Sequence, residues 1–284
     1  MMQFDARIRA LFIAIVILTL WGCSQQPTTR ISAAAAPVSA AHPDGKTRIY
    51  LAGDSTVTNQ MLNEDYWEKR HPVTGWGQKF AEQFTGDNLS RAAHWVSSQG
   101  VVIENKAKGG RSTRTFFEEG RWREIVEALK PGDIVIIQFG HNDQAVEKTE
   151  RYVTLAGYQE YLRLFIRQTR EKGGLPILLT PVNRNYPWQP DGSLGNSHGE
   201  YPDAARAIAR EMNVALIDLG HLSREFFARA GQQKVSTEYF MNLPAGKFPA
   251  YPEGVTDNTH FQPEGARVVA QWVFEALVAL PRQP

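Results

Sequence analysis

A three-layer α/β/α sandwich around a parallel sheet is the architecture this sequence predicts, and three observations point to it. Five short apolar runs, Ile49–Ala52, Val101–Ile103, Asp133–Phe139, Leu175–Leu179 and Val214–Ile217, alternate with longer stretches whose apolar residues recur at helical spacing. Ile134 to Ile137 is apolar on both parities, which suits a central strand covered by helices on both faces. Polar, mostly glycine-bearing clusters follow the first four runs closely. This βαβ alternation predicts a parallel sheet of five strands.

In chain order, Arg7 and Arg9 precede an unbroken apolar run from Ala10 to Leu20, read as a signal peptide over residues 1–22. The run is shorter than the roughly 20 residues a spanning helix needs, although a membrane anchor stays open. Leu20-Trp21-Gly22-Cys23 resembles a bacterial lipobox, which implies lipid attachment at Cys23 and a periplasmic or outer-membrane lipoprotein, or alternatively a secreted protein. Trp21 departs from the small residue usual there, and an unmodified cysteine is the competing reading. Residues 23–46, rich in Gln, Pro, Thr, Ser and Ala, predict a flexible tether. The folded domain is then 47–284. With one cysteine no intrachain disulfide is available, and a domain of roughly 235 residues can stand on apolar burial instead.

Helices are expected over 78–84, 114–129, 155–172, 201–212 and 264–280, with Pro131-Gly132 and Lys172-Gly173-Gly174 as connectors. Residues 85–100, with Asn88, His94 and Trp95, form a long link between the first helix and the second strand and could alter a groove. The 31 basic residues nearly balance the 30 acidic ones, and removing Arg7, Arg9 and Asp5 leaves 29 of each sign. Nothing in that balance calls for a nucleic acid, and a monomer is expected.

Gly53-Asp54-Ser55-Thr56, Gly109-Gly110-Arg111-Ser112, Gly140-His141-Asn142-Asp143 and Thr180 to Arg184 all fall at carboxyl ends of strands. In an open parallel sheet those ends share one edge, where ligands bind. Ser55, at an expected strand-to-helix turn, is a candidate nucleophile, with helix capping as the alternative. Asp257-Asn258-Thr259-His260, in the expected loop before the last helix, supplies a base and its orienting carboxylate: Asp257 can reach Nδ1 of His260 and leave Nε2 for the serine. Candidate oxyanion donors are the backbone N–H groups of Ser55 and Gly110 and the side-chain amide of Asn142. Each alone could be an ordinary turn residue.

Taken in order, these four groups resemble the blocks of the SGNH hydrolases, and within them the rhamnogalacturonan acetylesterases of carbohydrate esterase family 12. Gly75-Trp76-Gly77-Gln78, Asn105-Lys106-Ala107 and Gly199-Glu200-Tyr201-Pro202 extend the resemblance. It implies a flavodoxin-like sheet, a Ser55–His260–Asp257 triad, hydrolysis of acetyl esters on plant cell-wall polysaccharide, and no cofactor or metal. For binding the acetylated polysaccharide, Trp76, Phe116 and Trp122 are candidate stacking platforms, with core burial the competing reading for Phe116 and Trp122. Arg111, Arg184 and His198 are candidate polar contacts, with a helix-capping salt bridge the competing reading for Arg111. The competing readings are a lipase or acetylxylan esterase of the same superfamily, a carbohydrate-binding module, and a flavin-binding module.

Overall fold

Residues 42–282 are described by the computed structural model. Strands β1 (Thr47–Gly53), β2 (Val101–Asn105), β3 (Ile134–Gln138), β4 (Leu175–Leu179) and β5 (Ala215–Ile217) form one sheet in the order β2-β1-β3-β4-β5. Every neighbouring pair is parallel. Strand side chains alternate between faces: Ile49, Leu51, Ile134, Ile136 and Ile177 enter one core, while Tyr50, Ala52, Val135, Ile137 and Leu178 enter another. Burying each large aliphatic side chain contributes about 1.5–3 kcal/mol, so a strand apolar on both parities favours a helical layer on each face.

The helices are α1 (Tyr66–Lys69), α2 (Asp87–Arg91), α3 (Thr113–Glu118), α4 (Arg121–Ala128), α5 (Leu155–Glu171), α6 (Tyr201–Glu211), α7 (Leu219–Ala230), α8 (Gln232–Lys234) and α9 (Pro263–Ala279). Residues of α7 and α9, such as Phe227, Val269 and Phe274, fill the first core. Trp122, Leu162, Phe165 and Ile208, from α4, α5 and α6, fill the second. The expected 114–129 helix is two helices, broken at Gly120, whose φ of 76° lies in the left-handed region. The expected helix at 78–84 is instead a pair of short 3₁₀ turns, Trp76–Gln78 and Ala81–Phe84. A two-stranded antiparallel unit, β6 (Phe240–Leu243) with β7 (Val255–Phe261), is an addition to the expected sheet.

Residues 85–100 lie at the opposite end of β1 from Ser55. Trp95 Nε1 donates to the carbonyl of Leu280, and Ser97 bonds the Thr47 hydroxyl and the Gly45 carbonyl. The segment therefore braces the amino ends of the strands and does not shape the groove. The tether expectation also changes at its end: His42 Nε2 stands 2.9 Å from buried Asp133, and Asp44 pairs with Arg48. The signal peptide (1–22), Cys23 and the tether up to residue 41 lie outside the described residues.

Candidate active site

The serine turn is built from below. The Asp54 carbonyl accepts from the backbone N–H groups of Val57 and Thr58 at 3.1 and 3.0 Å, closing one turn beyond β1. Three consecutive β-branched residues, Thr56-Val57-Thr58, are poor helix formers, and the chain goes into the 3₁₀ turn Gln60–Leu62. The expected strand-to-helix junction is thus only a single turn, and Ser55 has no helix dipole behind it. What fixes the turn is packing: a Cβ on Gly75 would stand 2.2 Å from the Thr58 carbonyl oxygen, and one on Gly77 would stand 2.4 Å from that of Val57. Trp76 donates its backbone N–H to Thr56, and Gln60 Nε2 donates to the Ser55 carbonyl.

His260 and Asp257 come from β7 rather than a free loop. Met241 pairs with Asp257 and Phe240 with Phe261, so residues 258–260 bulge out between two paired positions. Asn258 holds the bulge, its Oδ1 accepting from Asn185 Nδ2 and Asn242 Nδ2. Within it, Asp257 Oδ1 accepts the backbone N–H groups of Thr259 (2.8 Å) and His260 (3.1 Å), and Oδ2 lies 2.6 Å from His260 Nδ1. The other ring nitrogen, Nε2, is 2.8 Å from Ser55 Oγ. Burial works against the Asp257 charge, but the His260 ring and the two N–H groups outweigh it and hold the carboxyl below its usual range. An ionised Asp257 accepts the Nδ1–H hydrogen bond and so keeps that proton on Nδ1, which leaves Nε2 to accept from the hydroxyl.

Around Ser55 stand donors without an acceptor. Gly110, at φ 80°, and Ser55 present backbone N–H groups that bond no protein acceptor among the described residues. Asn142 Nδ2 donates one hydrogen to the Arg111 carbonyl at 2.9 Å, which orients the amide and leaves its second hydrogen free. Ser55, Gly110, Asn142, Asp257 and His260 all line one open cleft of about 580 Å³. The arrangement brings together the candidate nucleophile, the candidate base with its orienting carboxylate, and three candidate donors for an oxyanion.

Residues 51–268 match the model of the GDSL-like Lipase/Acylhydrolase family. The chain belongs to that family. It is 39% identical over 233 residues to the rhamnogalacturonan acetylesterase RhgT of Bacillus subtilis, covering 82% of this chain and 90% of the relative. A second B. subtilis protein, the probable rhamnogalacturonan acetylesterase YesY, is 38% identical over the same share of this chain and 93% of its own length. The crystal structure of B. subtilis YxiM superposes with a TM-score of 0.64 at 26% identity, covering 81% of this chain and 56% of that longer one.

Within this GDSL-like fold, several residues expected at the substrate do other work. Trp76 is fully buried and donates Nε1 to Gln138 Oε1 at 3.0 Å; Gln138 Nε2 in turn donates to Thr56 Oγ1, and Thr56 Oγ1 to Asp54. It belongs to a polar chain under the serine turn and is no platform. Phe116 and Trp122 are also core, Trp122 stacked on Phe165 at 4.1 Å. Arg111 is held by Glu119 and the Gly109 carbonyl, so it braces the glycine loop and lies outside the cleft lining. His198 is buried, with Nε2 on the Val182 carbonyl, and burial pushes its ring well below the usual histidine range. Arg184 alone of these lines the cleft.

Sequence reasoning missed a second imidazole–carboxylate pair. His141 Nδ1 is 3.1 Å from Asp54 Oδ2, both side chains being buried. Burial opposes the Asp54 charge, yet the His141 ring and the Thr56 donors hold that carboxyl below its usual range. It also missed Asp143, whose carboxylate accepts from Thr113 N–H, Thr113 Oγ1 and Gly140 N–H and so ties two of the polar clusters together. Both residues sat within clusters already singled out; only their partners, 87 and 30 residues away, were invisible.

Proposed function

We propose that this GDSL-like hydrolase is a serine esterase that removes acetyl groups from rhamnogalacturonan. The observation that carries the reading is the continuous line from Ser55 Oγ through the His260 ring to Asp257 at 2.8 and 2.6 Å, in a chain similar over most of its length to proteins named rhamnogalacturonan acetylesterases. Ser55 attacks the acetyl carbonyl while His260 Nε2 takes its proton. The carbonyl oxygen becomes an oxyanion among Ser55 N–H, Gly110 N–H and the Asn142 amide, where one such donor is worth about 3 kcal/mol in the transition state. His260 then protonates the departing sugar hydroxyl. Water, deprotonated by the same ring, releases acetate and restores Ser55.

The cleft lining supports a hydrated glycan over a long acyl chain, since Lys69, Arg70, Lys148, Arg151 and Arg184 border it. Acetate release from acetylated rhamnogalacturonan, acetylxylan and short-chain esters, measured in parallel, tests the reading. The highest kcat/KM is expected on the first; rates rising toward C8–C12 esters would overturn it. The basic-apolar-cysteine pattern ending at Cys23 supports export and lipid attachment there. Metabolic labelling with a fatty acid is expected to mark the full-length chain and not a Cys23→Ser variant, and unlabelled full-length protein would end that part of the proposal.

A further inference from the structure

Three buried side-chain nitrogens have no hydrogen-bond partner among the described residues: His141 Nε2, Arg151 Nε and Arg184 Nε. All three residues line the cleft that holds Ser55. Buried polar atoms are normally satisfied, and the two arginine nitrogens can only donate, so the Arg151 and Arg184 orphans around one cleft mark a place where an acceptor belongs. Arg151 sharpens this. Its Nη1 lies 3.5 Å from where a Cβ on Gly110 would stand, beside the oxyanion donors. Its nearest carboxylate is exposed Glu150, at 3.7 Å. Arg184 donates Nη1 to the Tyr186 hydroxyl and Nη2 to the His141 carbonyl, both neutral acceptors.

Other arginines of this chain are matched by carboxylates: Arg111 by Glu119, Arg163 by Glu211, Arg206 by Asp218. Two of the three acidic residues of the cleft are engaged by other groups. Asp65 is paired with Arg70 and Lys69, Asp257 with His260, and Glu147 is an exposed side chain. Arg184 therefore flanks the nucleophile with no carboxylate partner among the described residues, and Arg151 with only exposed Glu150 at 3.7 Å, in a chain whose total charge is nearly balanced. A planar guanidinium bonds a carboxylate with two parallel N–H groups, which gives geometry as well as attraction.

We propose that Arg151 and Arg184 form a carboxylate subsite, which binds a uronate residue of the polymer next to the acetylated sugar and so selects acidic over neutral acetylated glycans. This rests on the acetylesterase reading above and names what that site recognises beyond the acetyl group.

The test compares acetylated rhamnogalacturonan oligomers with the same oligomers after methyl esterification of their uronate carboxyls, with acetate as the readout. The wild-type protein is expected to show kcat/KM about tenfold or more higher on the acidic form, carried mainly by KM and shrinking as salt is raised. In Arg151→Gln and in Arg184→Gln that ratio is expected to fall toward one. Equal wild-type kcat/KM on both forms would overturn the subsite while leaving the acetylesterase reading intact, and this arm needs no variant to fold. If neither form releases acetate, the acetylesterase reading fails instead. Calorimetric binding of the deacetylated oligomers then decides the subsite, which is overturned if the acidic and methyl-esterified forms bind with the same Kd.

Discussion

The Asp257 carboxylate does two things at once, one with each oxygen. Oδ1 closes the bulge by accepting two backbone N–H groups, and Oδ2 receives His260 Nδ1–H. Asparagine can reproduce only the first: with its carbonyl oxygen turned to the backbone donors, its NH₂ faces Nδ1 and forces the ring proton onto Nε2, where a base is needed. Asp257→Asn is therefore expected to keep the fold and KM while lowering kcat by a factor on the order of 10³–10⁴. Steady-state kinetics on p-nitrophenyl acetate, with circular dichroism as the folding control, measures it. A kcat within tenfold of wild type would show that the carboxylate merely shapes the bulge.

Elements were legible where one face of a repeating pattern met one environment. β1, β3 and β4 stand within about two residues of the apolar runs that announced them, because a strand buried on both faces has no room for polar residues. α7 was not legible, since its buried stripe is Leu219, Gly220, Ser223 and Phe227, two of them small, and Gly220 is needed where a Cβ would stand 2.8 Å from the Pro181 carbonyl. Hydrophobic periodicity cannot register a stripe whose close packing is carried by small residues. β7 was missed for the reverse reason: Thr256, Asp257, Asn258, Thr259 and His260 put polar side chains on both parities because this strand carries the chemistry. The grouping of Ser55, His260 and Asp257 as a candidate triad was readable from residue types and order. The roles of Trp76 and Arg151 were not, because one depends on Gln138, 62 residues distant, and the other lies in a polar run that reads as a solvated loop.

At the scale of the molecule, two buried carboxylates at the carboxyl edge of the sheet are pushed in opposite directions. Asp54 stays ionised against His141, whereas burial, with a further contribution from the Asp54 charge, pushes Asp143 up to about 7 from an ordinary 3.8. Asp143 also joins separate parts of the fold: its carboxyl holds Thr113 at the start of α3 and Gly140 after β3, and its carbonyl accepts from Val153 N–H and the Tyr201 hydroxyl. A carboxyl whose folded pKa lies above its unfolded one contributes stability that is complete below about 3.8 and is lost as pH rises through about 7. The depressed Asp54 has the opposite sign, its contribution falling away only below its ordinary range, so it adds no slope near neutrality. Between about pH 5 and about pH 8 the wild-type protein should therefore lose about 2–3 kcal/mol that Asp143→Asn, fixed in the neutral form, does not lose. Urea unfolding of both proteins across that window reads the difference in slope, which is independent of any constant destabilisation by the asparagine. Parallel stability profiles would mean that the three donors around Asp143 keep it ionised in the folded state and that the edge of the sheet carries two buried charges.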